Sequence, residues 1–274
     1  MTDSRTAIAF IGGGNMASAI IGGLLQQGRP AASIDVIEPQ PAARQALINK
    51  FKVRAHEQAG EFLHNAGLVV WAVKPQIFKD AALPLAPAVK QALHLSVAAG
   101  IGSDSIARWL GTERIARAMP NTPALIGLGM TGLYARPAVT AAEREQIGRI
   151  AAAVGESVWV EREALLDAVT AVSGSGPAYF FYVLEAMTEA GTALGLDREQ
   201  AYRLAVQTAR GASELARQSE EPAEVLRQRV TSKGGTTHEA ITALEAGGLK
   251  PLFAQALQAC ARRARELGEE FGRD

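Results

Sequence analysis

Ala7-Ile8-Ala9-Phe10-Ile11-Gly12-Gly13-Gly14-Asn15-Met16-Ala17 is the stretch that decides the fold. A short apolar run, Ala7 to Ile11, meets three glycines, and an apolar-periodic stretch follows from Asn15 to Gln27. That order reads strand, tight turn, helix. Gly12 to Ala17 fits G-x-G-x-x-[GA], a pattern that is weak alone and informative between a strand and a helix. Gly12 permits the sharp turn, Gly14 lets the backbone approach a pyrophosphate, and Ala17 lets helix and strand pack closely. The helix start then faces the phosphates with free N–H groups and a partial positive charge. Gly12, Gly14, Asn15, Met16 and Ala17 are therefore candidate cofactor-binding residues.

Outward from this turn, the pattern repeats. Ile34 to Ile37 reads as a second strand, stopped by Pro39 and Pro41, and Leu68 to Val73 and Leu93 to Ala98 are continuous apolar runs. Strands without polar alternation mark a parallel sheet covered on both faces. Helical patterns at Pro41 to Phe51 and Asp104 to Leu110 separate them, and Arg114 to Ala118, Met130 to Ala135 and Ser157 to Val160 read as further strands. The expectation is an α/β fold: a Rossmann-type doubly wound sheet over residues 1–160. From 161 to 274 strand signals vanish. Helical stretches remain at Ala178 to Leu194, Arg198 to Gln218, Ala223 to Arg229, Thr237 to Glu245 and Pro251 to Leu267. The first of these is apolar on nearly all sides, which places it in a bundle or an interface. Ala201, Ala205, Ala209, Gly211 and Ala212 let helices approach closely. This all-α C-terminal domain is expected to complete its core with a second subunit.

The second strand ends at Glu38, close to the spacing of about 20 residues at which a carboxylate takes the ribose hydroxyls of a dinucleotide. A carboxylate there repels a 2′-phosphate, and Arg44 partly offsets it. This favours NADH and leaves NADPH open. The third apolar run ends in Trp71-Ala72-Val73-Lys74-Pro75 and the fourth in Ala98-Ala99-Gly100. Carboxyl ends of parallel strands are where ligands bind in open α/β sheets. Ala72, Val73, Lys74, Pro75, Ala98 and Ala99 join the cofactor candidates, the two alanines because they let a nicotinamide ring lie close.

Bulk properties narrow the class. Lys+Arg and Asp+Glu cancel at 28 each in a chain of 274 residues that is 48% hydrophobic. No global field attracts nucleic acid or an anionic membrane. Cys260 is the only cysteine, so no intrachain disulfide forms, which fits a reducing compartment. In its Ala-rich helical setting it reads as a small packing residue. The N-terminal apolar run is too short to export or span, and the chain reads as cytoplasmic. His56, His64, His94 and His238 make no metal-ligand spacing, and no structural metal is expected.

Two segments in the helical half carry chemistry. Ser173-Gly174-Ser175-Gly176-Pro177 precedes the apolar helix, and its plainer reading is a helix start with Ser175 as N-cap. In Thr231-Ser232-Lys233-Gly234-Gly235-Thr236-Thr237-His238-Glu239, Thr236 and Glu239 have capping-box spacing. A capping box does not account for Ser232, two glycines and a second threonine together. Glycines let backbone amides turn toward a ligand, and a helix start supplies the field for a carboxylate. A small anionic substrate fits there. His238 reads as a surface residue of the first turn.

Arg117-Ala118-Met119-Pro120-Asn121-Thr122-Pro123-Ala124, Ala171 to Tyr179 and Val230 to Thr237, with the glycine loop, Val73-Lys74-Pro75 and Ala98-Ala99-Gly100, resemble pyrroline-5-carboxylate reductases in order and over nearly the whole chain. The resemblance implies NAD(P)H-dependent reduction of L-1-pyrroline-5-carboxylate to L-proline, with the last domain serving substrate binding and dimerisation. It implies a homodimer or larger homo-oligomer. It also implies substrate contacts at Ser232, Gly235, Thr236, Thr237, Glu163 and Ser175, with Thr237 the catalytic candidate, hydrogen-bonding the imine nitrogen. Two positions depart from the family pattern: Lys233 stands where many members have proline, and Arg229 where some carry asparagine. A cyclic imine is basic enough to carry a proton near neutral pH, so positioning is the main requirement and no His/Asp pair is needed. Two rival readings are a β-hydroxyacid or imine reductase and a non-catalytic NAD(P)-binding sensor. The first generally relies on a lysine in the long helix, and Ala178 to Leu194 has none.

Overall fold

The computed structural model describes residues 7–273. Among them, eight strands form one sheet: β1 (Ala7–Ile11), β2 (Ile34–Ile37), β3 (Arg54–His56), β4 (Ala66–Trp71), β5 (Leu93–Ser96), β6 (Ile115–Met119), β7 (Gly129–Ala135) and β8 (Gly155–Trp159). Their spatial order is β3-β2-β1-β4-β5-β6-β7-β8. Alternate side chains of a strand point to opposite faces. Ile8 and Phe10 of β1 therefore join one apolar cluster with Leu68, Val70 and Leu95, while Ala9 and Ile11 join a second with Val69, Trp71 and Phe78. Both faces are covered, which is why these strands read as unbroken apolar runs. The fold class is the expected one. One detail differs: β7 pairs antiparallel with β6, and β8 runs parallel to β7, so the last two strands oppose the rest.

Helices α1 (Asn15–Gln26), α2 (Pro41–Phe51), α3 (Pro75–Val89), α4 (Ser103–Leu110) and α5 (Ala141–Ala152) alternate with the strands. The sequence pattern leaves α3 and α5 unassigned. Next come α6 (Leu165–Val169), a π-helical turn over Thr170–Gly174, and then α7 (Gly176–Ala193), α8 (Arg198–Gln218), α9 (Ala223–Arg229), α10 (Thr236–Ala246) and α11 (Leu249–Phe271).

The chain divides into two compact units: one runs through Gly176 and takes up the chain again from Ala259, and the other is Pro177–Gln258. The boundary expected after residue 160 thus falls inside the first unit. The reason is packing. A Cβ on Gly132 of β7 would lie 2.5 Å from Val169, and one on Gly174 2.5 Å from Met119, so α6 and the π turn sit tightly on the sheet. The end of α11 also belongs there: the Ser105 hydroxyl donates to the Gly272 carbonyl at 2.8 Å. In the second unit, α7 and α8 approach closely where Gly191 meets Ala201, as their small residues suggest.

Candidate active site

Strand order reverses between β1 and β4, because the chain travels outward to β2 and β3 and then returns to the other side of β1. Ligands of open α/β sheets bind at such a switch point, outside the carboxyl ends of the strands. Two helices start there. Gly12 has φ +97°, and a Cβ on it would lie 2.7 Å from the Ala72 carbonyl oxygen, so only glycine lets the β1 and β4 turns approach. Gly14 is the N-cap of α1, followed by Asn15 and Met16, and no side chain caps this helix. A Cβ at Gly14 would meet nothing within 4 Å. The position is an open cradle over free N–H groups, which fits a pyrophosphate. Ala17 is fully buried against the sheet. Past β4, Ala72 and Val73 lead to Lys74, the N-cap of α3, with Pro75 opening the helix and again no side-chain cap. The loop after β5 is tied to this corner by the Val97 N–H donating to the Trp71 carbonyl at 3.0 Å, and it carries the buried Ala98 beside Ala99.

The Glu38 carboxylate is turned into the glycine loop. It accepts the Gly13 N–H at 3.0 Å and the Gln40 N–H at 2.9 Å. Arg44 donates to the Glu38 and Pro39 carbonyls at 2.8 and 3.0 Å and pairs with Glu57 at 3.2 Å. Carboxylate and guanidinium therefore stand together at the corner where a ribose is expected.

Glu163 lies in the first unit and is fully engaged. Its Oε1 accepts the Ser103 N–H at 2.6 Å and Arg117 Nη1 at 2.8 Å, and its Oε2 accepts the Ser103 hydroxyl. It caps α4 with charge at the favourable end of the helix. A cavity of about 250 Å³ adjoins it, lined by Gly100, Arg117, Asp167, Arg265 and Gly268 among others. Burial pushes the Asp167 carboxyl up against the opposing pull of Arg117 and Arg265. Sequence reasoning did not single out Asp167, whose only signal is an acidic side chain inside an apolar stretch.

Ser175 is not an N-cap. Its backbone is helical, φ −89° and ψ −12°, so the chain continues from the π turn into α7. Its hydroxyl accepts from the Cys260 thiol at 3.3 Å. In the second unit, α10 begins at Thr236 with Gly235 as N-cap, and no side chain caps it. The Thr236–Glu239 capping box is therefore not made, and Thr236 and Thr237 are exposed in the first turn beside free N–H groups. Gly234 has φ +74°, and a Cβ on Gly235 would lie 2.8 Å from the Ser232 hydroxyl, so both glycines fold the loop back on Ser232. His238 is exposed.

Residues 163–267 match the family model for pyrroline-5-carboxylate reductase dimerisation, and residues 7–100 match one described as NADP oxidoreductase coenzyme F420-dependent. A pyrroline-5-carboxylate reductase of Pseudomonas aeruginosa is 50% identical, covering 98% of this chain and 99% of that one. The solved structure of a pyrroline-5-carboxylate reductase from Coxiella burnetii superposes with a TM-score of 0.92 at 40% identity, over 96% of this chain and 98% of that one.

The chain belongs to the pyrroline-5-carboxylate reductase family.

Its activity is the NAD(P)H-dependent reduction of the C=N bond of L-1-pyrroline-5-carboxylate to L-proline, the last step of proline biosynthesis. That sets aside both the hydroxyacid-enzyme and the sensor readings. A second solved structure, the Plasmodium falciparum pyrroline carboxylate reductase with NADP bound, is 25% identical with a TM-score of 0.85, over 97% of this chain and 99% of that one. Of the two departures from the reductase pattern, Lys233 is exposed in the loop, and Arg229 pairs with Glu221 at 2.6 Å.

Proposed function

We propose that the reductase binds its dinucleotide through Gly12, Gly14, Asn15, Met16, Ala17, Glu38, Ala72, Val73, Lys74, Pro75, Ala98 and Ala99, and its substrate through Ser232, Gly235, Thr236 and Thr237. The observation that carries this reading is the switch point between β1 and β4, where Gly12 turns at φ +97° and a Cβ on Gly14 would meet nothing within 4 Å, leaving the start of α1 open. Uncapped helix starts hold anions, and both dinucleotide and imine carboxylate are anionic. The bound cofactor supplies the hydride. The protein's part is to hold the substrate carboxylate on the amides of Gly235 to Thr237 and to set the Thr237 hydroxyl against the imine nitrogen. That hydroxyl holds the nitrogen's proton in place while the ring carbon is reduced. Glu163 and Ser175 serve more indirectly, since Glu163 is committed to Ser103 and Arg117 and Ser175 to Cys260.

NADPH serves alongside NADH. The NADP of the Plasmodium relative supports this, as does the Arg44 guanidinium beside Glu38. The working form is a homodimer or a larger homo-oligomer built on the helical unit. A cytoplasmic location agrees with the single free Cys260; among the described residues no helix is long and apolar enough to cross a membrane.

Gly14→Ala tests the cofactor site cleanly, because the added methyl meets no protein atom. Its melting temperature should stay at the wild-type value while KM for NAD(P)H rises about tenfold or more, the methyl standing where the pyrophosphate approaches. Thr237→Ala should keep the cofactor KM and lose kcat/KM for pyrroline carboxylate. Full activity in either variant sinks the corresponding assignment.

A further inference from the structure

Asn121 sits just past β6, at the carboxyl edge of the sheet, and is 9% exposed. Its Oδ1 accepts the Met130 N–H at 2.9 Å, and its Nδ2 donates to the Ser173 carbonyl at 3.1 Å. A main-chain N–H only donates and a carbonyl only accepts, so these partners fix which way the amide points. The acceptor it serves is an unusual one. Ser173 lies in the π turn, and the chain continues helically through Ser175 into α7. In a continuing α-helix the Ser173 carbonyl would take the N–H of residue 177, which is Pro177 and has none. Pro177 offers no N–H to that carbonyl, and Asn121, from a distant segment, donates to it.

The same corner is locked by close packing. A Cβ on Gly174 would lie 2.5 Å from Met119 Cε. β6 is also the neighbour of β5, with Arg117 opposite Ser96, so the corner stands beside the Val97 to Ala99 loop. π turns inside helices occur disproportionately at functional sites.

We infer that Asn121 is a positioning residue for hydride transfer: it pins the π turn, and with it the Ser173 to Pro177 segment, against the edge where the nicotinamide end of the cofactor lies. The inference rests on the cofactor placement proposed above. Asn121 touches neither substrate nor cofactor; it acts through the Ser173 carbonyl.

Asn121→Asp keeps the acceptor for Met130 and loses the donor for Ser173, and Asn121→Ala loses both. In each, kcat should fall about tenfold or more, as expected of a small misplacement of reacting groups. KM for the reduced cofactor should stay within about threefold, since no binding contact is removed. With cofactor deuterated at the transferring position, the primary isotope effect on kcat should rise as hydride transfer becomes limiting. A purely structural role would lower the melting temperature and leave the isotope effect alone. Pro177→Ala restores an N–H at residue 177, so Asn121→Ala should cost less kcat in that background than in the wild type. Wild-type kcat and isotope effect in Asn121→Ala overturn the inference, and so does an equal cost in both backgrounds. Gly14→Ala separates the two layers: an unchanged cofactor KM there faults the cofactor placement, whereas a raised one with a silent Asn121→Ala faults Asn121 alone.

Discussion

The two units hold themselves together by different means. In the first, a sheet is sandwiched between two apolar clusters, and Phe10, Trp71, Phe78 and Ile106 are wholly inaccessible. In the second, among the described residues of Pro177–Gln258, only Thr188, Ala201 and Ala205 are buried. Phe180, Phe181 and Tyr182 of α7 are 63%, 58% and 73% exposed. A monomer rarely leaves so large an apolar face to water. The first unit contains its own core, while the second, which matches the dimerisation family model, leaves its apolar face open in the single chain. The cofactor candidates belong to the self-sufficient unit and the Ser232 to Thr237 candidates to the dependent one, so substrate binding should depend on assembly where cofactor binding does not.

The strongest way to break this contrast is a charge in the apolar face. Phe181→Glu should dissociate the oligomer and lower kcat/KM for pyrroline carboxylate by roughly two orders of magnitude, because a misplaced substrate loses the advantage of fixed geometry. The dinucleotide should still bind, which fluorescence of the reduced cofactor would report. In the wild type the melting temperature of the helical unit should rise with protein concentration, as for any fold linked to association. An active Phe181→Glu enzyme of wild-type mass in sedimentation would show that α7 does not form the interface.

The first unit carries its own liability, and it responds to pH instead of concentration. His94 on β5 is fully buried, with Nδ1 accepting the Trp71 indole N–H at 3.1 Å. Burial lowers its pKa from 6.5 to about 4, and the nearby Arg114 charge adds to the effect, against the Val89 backbone carbonyl, which favours the protonated ring. Between those values the unfolded chain takes up a proton that the folded chain refuses. Stability is therefore complete above pH 6.5, declines as pH falls, and levels off below about 4. The total loss from this group is of the order of 3 kcal/mol. Denaturant melts across this range should show it, and His94→Gln, which keeps an acceptor for Trp71, should flatten the decline. An equally steep decline in that variant would assign the acid sensitivity to other groups.

How far these features can be read from the sequence follows the same division. The buried unit announces itself, because strands covered on both faces leave unbroken apolar runs such as Leu68 to Trp71. β3 escapes because Arg54-Ala55-His56 is a polar edge strand, held by the buried Asp35, which accepts Arg54 and His56 at 2.6–2.9 Å. α3 is disguised by Pro84 and Pro87 within it. α5 goes unassigned although Thr140 and Glu143 form a full capping box, the same spacing that misleads at Thr236 and Glu239. The difference lies in the residue before. At Thr236 the preceding Gly235 takes the cap position, which pushes both threonines into the first turn. The glycine-rich turn, Glu38 and the strand ends are all visible as motifs. The bonds that Asn121 makes to Met130 and Ser173, and those that join Glu163 to Ser103 and Arg117, are not, because these partners lie far apart in the chain and no local pattern records a tertiary hydrogen bond.

The finest test concerns the corner between β1 and β2, the proposed seat of the adenosine ribose. Glu38 presents a carboxylate that favours free ribose hydroxyls and opposes a 2′-phosphate, while Arg44 beside it does the reverse with a charge already shared with Glu57. Two opposing charges at one site predict a modest preference instead of exclusion. Glu38→Gln removes the repulsion and keeps an acceptor for the Gly13 amide. It should raise kcat/KM for NADPH relative to NADH by about tenfold, equivalent to roughly 1.4 kcal/mol. Arg44→Ala should move the ratio the other way by a similar factor, although losing its bonds to the Glu38 and Pro39 carbonyls will also loosen the turn. The effect should be confined to the cofactor ratio, with KM for pyrroline carboxylate unmoved, because that substrate is assigned to the other unit. A Glu38→Gln enzyme with an unchanged NADPH-to-NADH ratio would mean the adenosine ribose lies elsewhere along the β1–β4 crevice.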